Sequence, residues 1–181
     1  MGARVTVLDV NIDALTALTN LFPDKVETLY SNPLNIEEAT KNADLVISTV
    51  LIPGRKAPQL IKEDYVKEMK EGSVIVDVAI DQGGSTDLTK NHPTSHSEPI
   101  FNKYGVIHYA VANIPGAVAM TSTYALSNAT TRYAKTIGEL GLKAACEKLP
   151  EIISGINTFN GYMANEAVAE DLNMEYKELN M

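Results

Sequence analysis

The sequence predicts an α/β fold: a doubly wound parallel sheet followed by a helical C-terminal segment. Three observations carry this. Over residues 3–114, short runs rich in Val, Ile and Leu alternate with amphipathic helical stretches. The runs are mostly continuous in apolar character, as strands covered on both faces must be. After Pro115 the alternation stops and helical periodicity takes over. Strands alternating with helices require right-handed crossovers, and these make the sheet parallel.

The elements follow in order. "RVTVLDV" is rich in β-branched residues and ends in an acid, which marks a strand. In "NIDALTALTNLF", Ile12, Leu15, Leu18 and Leu21 recur every three residues and give an amphipathic helix. Asn11 is its N-cap, and Asp13 suits the first turn. "VETLYS" is a weaker second strand, "NIEEATKNA" a short helix, and "DLVISTVLI" a third strand that Pro53-Gly54 stops. "IKEDYVKEMKEG" holds a helix ending near Gly72, and "SVIVDVAI" is the fourth strand. Asp81 to Asn102 is a polar segment with little periodicity; "GVIHYAVAN" is the fifth strand, broken by Pro115-Gly116. These elements make residues 3–114 a Rossmann-like sheet. Beyond it, the chain is helical from Thr121 to about Leu149 with a break at Gly138 or Gly141, and "PEIISGI" and "NEAVAED" are two further helices. The expected organisation is a partial nucleotide-binding domain over residues 1–115. A helical segment over 116–181 completes, or links to, a catalytic domain outside this sequence.

Composition narrows the partners. The 181 residues carry a net charge of −8 and no basic patch, which argues against a nucleic acid or an anionic membrane. No apolar run reaches the ~20 residues of a membrane span, and no signal peptide is visible, so the expected location is the cytoplasm. "MGARVT" fits the loose myristoylation pattern, but a strand accounts better for "ARVTVLD". One cysteine, Cys146, excludes an internal disulfide, and in the helical stretch "GLKAACEKL" it reads as a buried packing residue. His92 and His96 are four apart, but Pro93 spoils a helix between them, so no metal site is expected; His108 lies within a strand and reads as core.

In open α/β sheets, ligands bind beyond the carboxyl ends of the strands. Here those ends carry Asp9; Tyr30 and Ser31; Thr49, Val50 and Leu51; Asp81, Gln82, Gly83 and Gly84; and Asn113 to Gly116. Asp9 has a second warrant. An acid closing the second strand of a dinucleotide fold accepts from the adenosine ribose hydroxyls and repels a 2′-phosphate, selecting NAD over NADP. Its other reading is a cap for the next helix. A glycine fingerprint belongs roughly 20 residues before such an acid, yet eight residues precede Asp9. The fold is therefore expected to be truncated at its N-terminus, without its first strand and pyrophosphate loop. Asp81 stands where an apolar strand gives way to a glycine turn, a place that suits proton transfer. Its other reading is a turn residue bonding its own backbone.

Taken together, "VTVLDVN", "DLVISTVLIPGRKAP", "VDVAIDQGG" and "HYAVANIPGAVAMTSTYALSNAT" strongly resemble the alanine dehydrogenases, from about residue 3 to residue 177. The resemblance implies an enzyme that reversibly converts L-alanine, NAD and water to pyruvate, ammonia and NADH. It also implies a Rossmann domain inserted between two parts of a catalytic domain, in a homo-oligomer that is often hexameric at full length. Residue by residue, it makes Asp81 catalytic, near the nicotinamide and the substrate, activating or orienting water during iminopyruvate hydrolysis. Asp9 matches the ribose-binding acid, Ser31 a residue near the adenine end, and Val50 with Leu51 a cofactor-contacting pair. Val78, Ala79 and Ile80 flank the nicotinamide; Val111, Ala112, Asn113 and Ile114 close that side.

The chain departs from the family pattern at Ala14, where many members carry a lysine. The family's catalytic histidine, substrate-binding lysine and arginine, and glycine fingerprint belong upstream of Met1, so the 181 residues alone are expected to be inactive. Two other readings stand beside this one. The chain could be a non-catalytic assembly module that self-associates through exposed strand edges. It could also be a transhydrogenase-like NAD-binding component, against which Asp81 speaks, since that family usually has glutamate there.

Overall fold

The computed structural model describes residues 2–180. The chain divides into two compact units, Met1–Val50 with Ala57–Ala112, and Leu51–Lys56 with Asn113–Met181. The sequence suggests one division at 115–116; the backbone divides at 112–113 and also assigns residues 51–56 to the second unit.

The first unit runs β1 (Val5–Asp9), α1 (Ile12–Leu21), β2 (Val26–Tyr30), α2 (Pro33–Asn42), β3 (Leu45–Ser48), α3 (Glu63–Lys67), β4 (Val74–Asp77), β5 (Ile100–Lys103) and β6 (Val106–Tyr109). The expected alternation is present, and β1–β2, β3–β4 and β4–β6 pair in parallel. Asn11 caps α1 as expected, its side chain accepting from Ala14 N at 3.1 Å.

One feature of the sheet is what a missing first strand leads one to expect, and two others are not. It is not continuous: β1 and β2 bond each other, while β3–β4–β6–β5 form a separate sheet. A doubly wound sheet has the strand order 3-2-1-4-5-6. With β1 and β2 in positions two and three, and β3, β4 and β6 in four, five and six, position one falls between β1 and β3, where the backbone bonding stops. Second, β1 and β3 are consequently not covered on both sides as their apolar runs suggest, and Leu45 and Ile47 are more than half exposed. Third, the polar segment 81–102 ends in β5, which joins the sheet antiparallel to β6. "IFNK" is too short and mixed for periodicity to reveal it. The third strand also stops early, at Ser48, because the following residues enter a turn in which Arg55 N donates to Ile52 O.

The core gathers around β4. Ile61, Val66, Met69, Ile75 and Val106 form its buried cluster, with Val46 and Leu88 packed against it. Burying side chains of this size contributes about 1.5–3 kcal/mol each. β4 lies between β3 and β6, so it is one of the two strands of this sheet flanked on both sides.

The second unit holds a 3-10 turn (Ile114–Val118), α4 (Ala119–Leu140), α5 (Leu142–Lys148), a 3-10 segment (Pro150–Gly155), the hairpin β7 (Thr158–Phe159) and β8 (Tyr162–Met163), and α6 (Glu166–Leu172). Of the two expected break points, Gly141 is the one used, at φ +76°. "PEIISGI" is 3-10 rather than α-helical, and the hairpin turns at Asn160-Gly161, both at positive φ. Residues 51–56 belong here because α6 holds them: Arg55 pairs with Glu170 at 2.5 Å, and Lys56 N donates to the Asp171 carboxylate. Cys146 is buried on α5, as expected.

Two stability predictions follow from the first unit. His108 on β6 is fully buried, stacks on Phe101 at 4.7 Å, and neither ring nitrogen has a hydrogen-bond partner among the described residues. Burial pushes its pKa below the ordinary 6.5. The unfolded chain then binds the proton more readily, so stability declines as pH falls below about 6.5 and stops declining once the folded-state pKa is passed. In that window the slope contributed is about 1.4 kcal/mol per pH unit. Denaturant titrations at pH 7.5 and 5.5 should show a smaller loss in His108→Phe than in the unsubstituted chain. The second concerns the turn after β4. Gly83 and Gly84 both have positive φ, +97° and +84°. A Cβ on Gly84 would stand 2.8 Å from the Thr89 carbonyl oxygen, whereas on Gly83 the nearest atom is 4.0 Å away. Gly84→Ala should therefore cost more than ~2 kcal/mol and Gly83→Ala only about 1 kcal/mol, read by urea denaturation.

Candidate functional site

Asp9 and Tyr30 are register partners, and Ser31 N donates to Asp9 O at 2.9 Å, so pairing of β1 with β2 brings Asp9 and Ser31 together. Asp9 is exposed. Its Oδ1 accepts from Asn11 N at 2.8 Å, which stiffens the turn into α1. One carboxylate oxygen thus serves the turn, and no hydrogen bond among the described residues occupies the other.

At the end of β4 the chain forms a 3-10 turn over Val78–Gln82, closed by Gly83 in the left-handed conformation. Ala79 and Ile80 are buried, while Val78 and Asp81 face outward. The turn owes its shape to Asp77, the last residue of β4, which is fully buried. Its Oδ1 accepts from Ala79 N at 3.0 Å and Ser85 Oγ at 2.8 Å. Its Oδ2 accepts from Ser85 N at 2.8 Å and, through a short bond, from Thr89 Oγ1. Thr89 Oγ1 spends its single proton on Asp77, so across the 2.8 Å contact it must accept from Thr86 Oγ1. Thr86 Oγ1 in turn accepts from Thr89 N at 3.0 Å. A buried charge requires this degree of satisfaction.

The segment before α3 braces the same turn from the other side. Ala57 N donates to Gln82 O at 2.9 Å, Leu60 N to Ser85 O at 2.8 Å, and Gln59 Nε2 to Gly84 O at 3.1 Å. Val50, half-buried, follows β3. Val111 is buried and bridges to Thr94, which also takes Ala112 N onto its carbonyl.

The second unit carries Leu51, Asn113 and Ile114. Leu51 is exposed. Asn113 lies in the left-handed region at φ +54° and leads the 3-10 turn through Ile114. Gly116 N donates to its carbonyl at 2.8 Å. The first unit therefore unites Asp9 with Ser31, and holds Val78 to Asp81 on one clamped turn. Among the described residues no group of three His, Cys, Asp or Glu side chains is gathered as metal ligands are.

Asp77, Ser85 and Thr89 were not singled out by sequence. A signal existed: Asp77 is an acid inside an apolar strand, and a buried carboxylate must find donors. The hydroxyl-rich "GGSTDLT" just after it supplies them.

Comparison with known proteins agrees with the motifs. Residues 1–166 match the family model described as alanine dehydrogenase/PNT, C-terminal domain. The chain is 55% identical over 176 residues to an alanine dehydrogenase of Methanococcus maripaludis, covering 97% of this chain and 47% of that protein. It is 52% identical over 179 residues to one of Staphylococcus saprophyticus, covering 99% and 48%. A solved L-alanine dehydrogenase superposes with a TM-score of 0.78 at 44% identity, over 95% of this chain and 47% of that one. A transhydrogenase from Sinorhizobium meliloti superposes at 0.65 with 25% identity, over 78% and 41%. The chain thus spans about half the length of the curated relatives it matches. On the match over residues 1–166, the chain belongs to the alanine dehydrogenase/PNT C-terminal domain family.

Proposed function

We propose that this chain provides the NAD-binding part of an alanine dehydrogenase, acting on L-alanine, pyruvate and ammonia. The observation that carries the reading is Asp81, an exposed carboxylate on a turn that a buried carboxylate clamps, just after an interior strand of the sheet. The identity to alanine dehydrogenases, about twice that to the transhydrogenase structure, favours deamination over hydride exchange between nicotinamides.

In the proposed reaction L-alanine, NAD+ and water become pyruvate, ammonium, NADH and a proton. NAD+, held at this strand-end edge, would supply the acceptor for the α-hydrogen and its electron pair. Asp9 takes a ribose hydroxyl on its open oxygen, beside Ser31. Ala79 and Ile80 keep the turn packed, and Asp81 accepts a proton from the water that adds to the imine carbon, releasing it as nitrogen departs. The protein works as a homo-oligomer, hexameric on the family's pattern, in the cytoplasm; among the described residues no helix is long and apolar enough to cross a membrane.

A second reading, an assembly module without catalysis, rests on one observation. α4 spans 22 residues without a buried side chain, and Met120, Tyr124 and Leu126 are more than 60% exposed. Size-exclusion chromatography of the 181-residue chain separates the readings in part: a clean monomer counts against assembly by this chain alone.

The activity test grafts this chain in place of the matching C-terminal portion of the Methanococcus maripaludis enzyme. The chimera should oxidise alanine with NAD; an inactive chimera overturns the reading. Asp81→Asn should lower its kcat by roughly 100-fold or more, within the usual range for a lost acid–base group. Full turnover in that variant would remove Asp81 from the chemistry. Asp9→Ala should weaken NAD binding about tenfold or more, as expected when a charged hydrogen-bond partner is lost, and should narrow the preference for NAD over NADP. Stopped-flow fluorescence measures both.

A further inference from the structure

We infer that Asp77 is a positioning residue for Asp81, and that its effect on turnover runs through Asp81. The inference rests on the functional reading above. The argument is geometric. Asp81 is carried on a five-residue 3-10 turn, Val78–Gln82. One buried carboxylate grips that turn on both sides of it. On the near side Asp77 Oδ1 holds Ala79 N at 3.0 Å; on the far side Oδ2 holds Ser85 N at 2.8 Å. The chain between those two bonds contains Asp81, Gly83 and Gly84, and Gly84 N returns to Ala79 O at 3.2 Å. Gly84 lies so close to the Thr89 carbonyl that a Cβ there would stand 2.8 Å from its oxygen, Thr89 Oγ1 itself bonds to Asp77, and Gly83 N donates to Ile80 O at 3.0 Å.

The bonding pattern makes Asp77→Asn an incisive probe. Each carboxylate oxygen accepts from one backbone N–H and one hydroxyl. The hydroxyls of Ser85 and Thr89 can rotate to accept instead. The backbone N–H groups cannot. An amide of the same shape must therefore turn its NH2 toward either Ala79 N or Ser85 N, whichever way it flips, and one end of the turn comes loose. The side-chain volume and the surrounding core stay the same.

A double-mutant cycle in the chimera tests this, with kcat as the readout and Tm as the control. Asp77→Asn should lower kcat at least tenfold. In the Asp81→Asn background the same change should lower kcat less than twofold, because the group it positions is already gone. Tm should fall by a similar amount in both backgrounds. If Asp77→Asn does not yield folded protein, Thr89→Val takes its place in the cycle, with Thr89→Ser expected to restore turnover by returning the hydroxyl. Additive losses of kcat, alongside an impaired Asp81→Asn enzyme, would overturn the positioning role and leave the functional reading intact. Full turnover in Asp81→Asn alone would overturn the positioning role together with Asp81's part in the chemistry, whereas an inactive unsubstituted chimera would overturn the functional reading.

Discussion

A single buried carboxylate organises the functional end of this molecule. Asp77 closes one of the two interior strands of the four-stranded sheet and stands among uncharged donors. Removing a carboxylate from water is costly, and the sequence meets that cost locally: two backbone N–H groups and two hydroxyls arrive within twelve residues. To deliver them the chain must fold back at once, and that reversal is the Gly83-Gly84 turn. The conformation that presents Asp81 is therefore a consequence of solvating Asp77.

The remainder of the first unit supports that arrangement. The cluster of Ile75, Val66, Ile61, Met69 and Val106 fixes β4 and the segment before α3 relative to each other. The segment 57–61 then lends its backbone to the outer face of the turn, and Thr86 bridges to Ile61. Apolar burial sets the position of the strand, and hydrogen bonding sets the path of the loop beyond it. The division suits a site in which a few ångströms at one carboxylate matter more than the strength of any single contact.

Much of this was legible in the sequence, for identifiable reasons. Val, Ile and Leu runs gave the parallel strands, Asn11 gave a helix start, and the acids at strand ends gave Asp9 and Asp81. What escaped detection depended on long-range geometry. β5 is four residues of mixed character whose existence depends on pairing with β6. The break between the two sheets, by contrast, was foreseen, because the sheet was expected to lack its first strand. The β7–β8 hairpin did carry a local mark, Asn160-Gly161, the favoured pair for a two-residue turn, and the helical reading of the tail passed over it. Asp77 was passed over because a carboxylate within an apolar strand draws less attention than one at its end, although it is the more demanding of the two.

The separation of the sheets bears on how the molecule opens. The pair carrying Asp9 and Ser31 shares no ladder with the strands carrying Asp77, and reaches them through α2, which touches both β1 and α3. Proteins unfold locally in contiguous cooperative units, and residues 5–30 form one bounded by α2. A ligand that gripped Asp9 would stabilise that unit by mass action, and would do so through a sheet that shares no ladder with the clamp around Asp77.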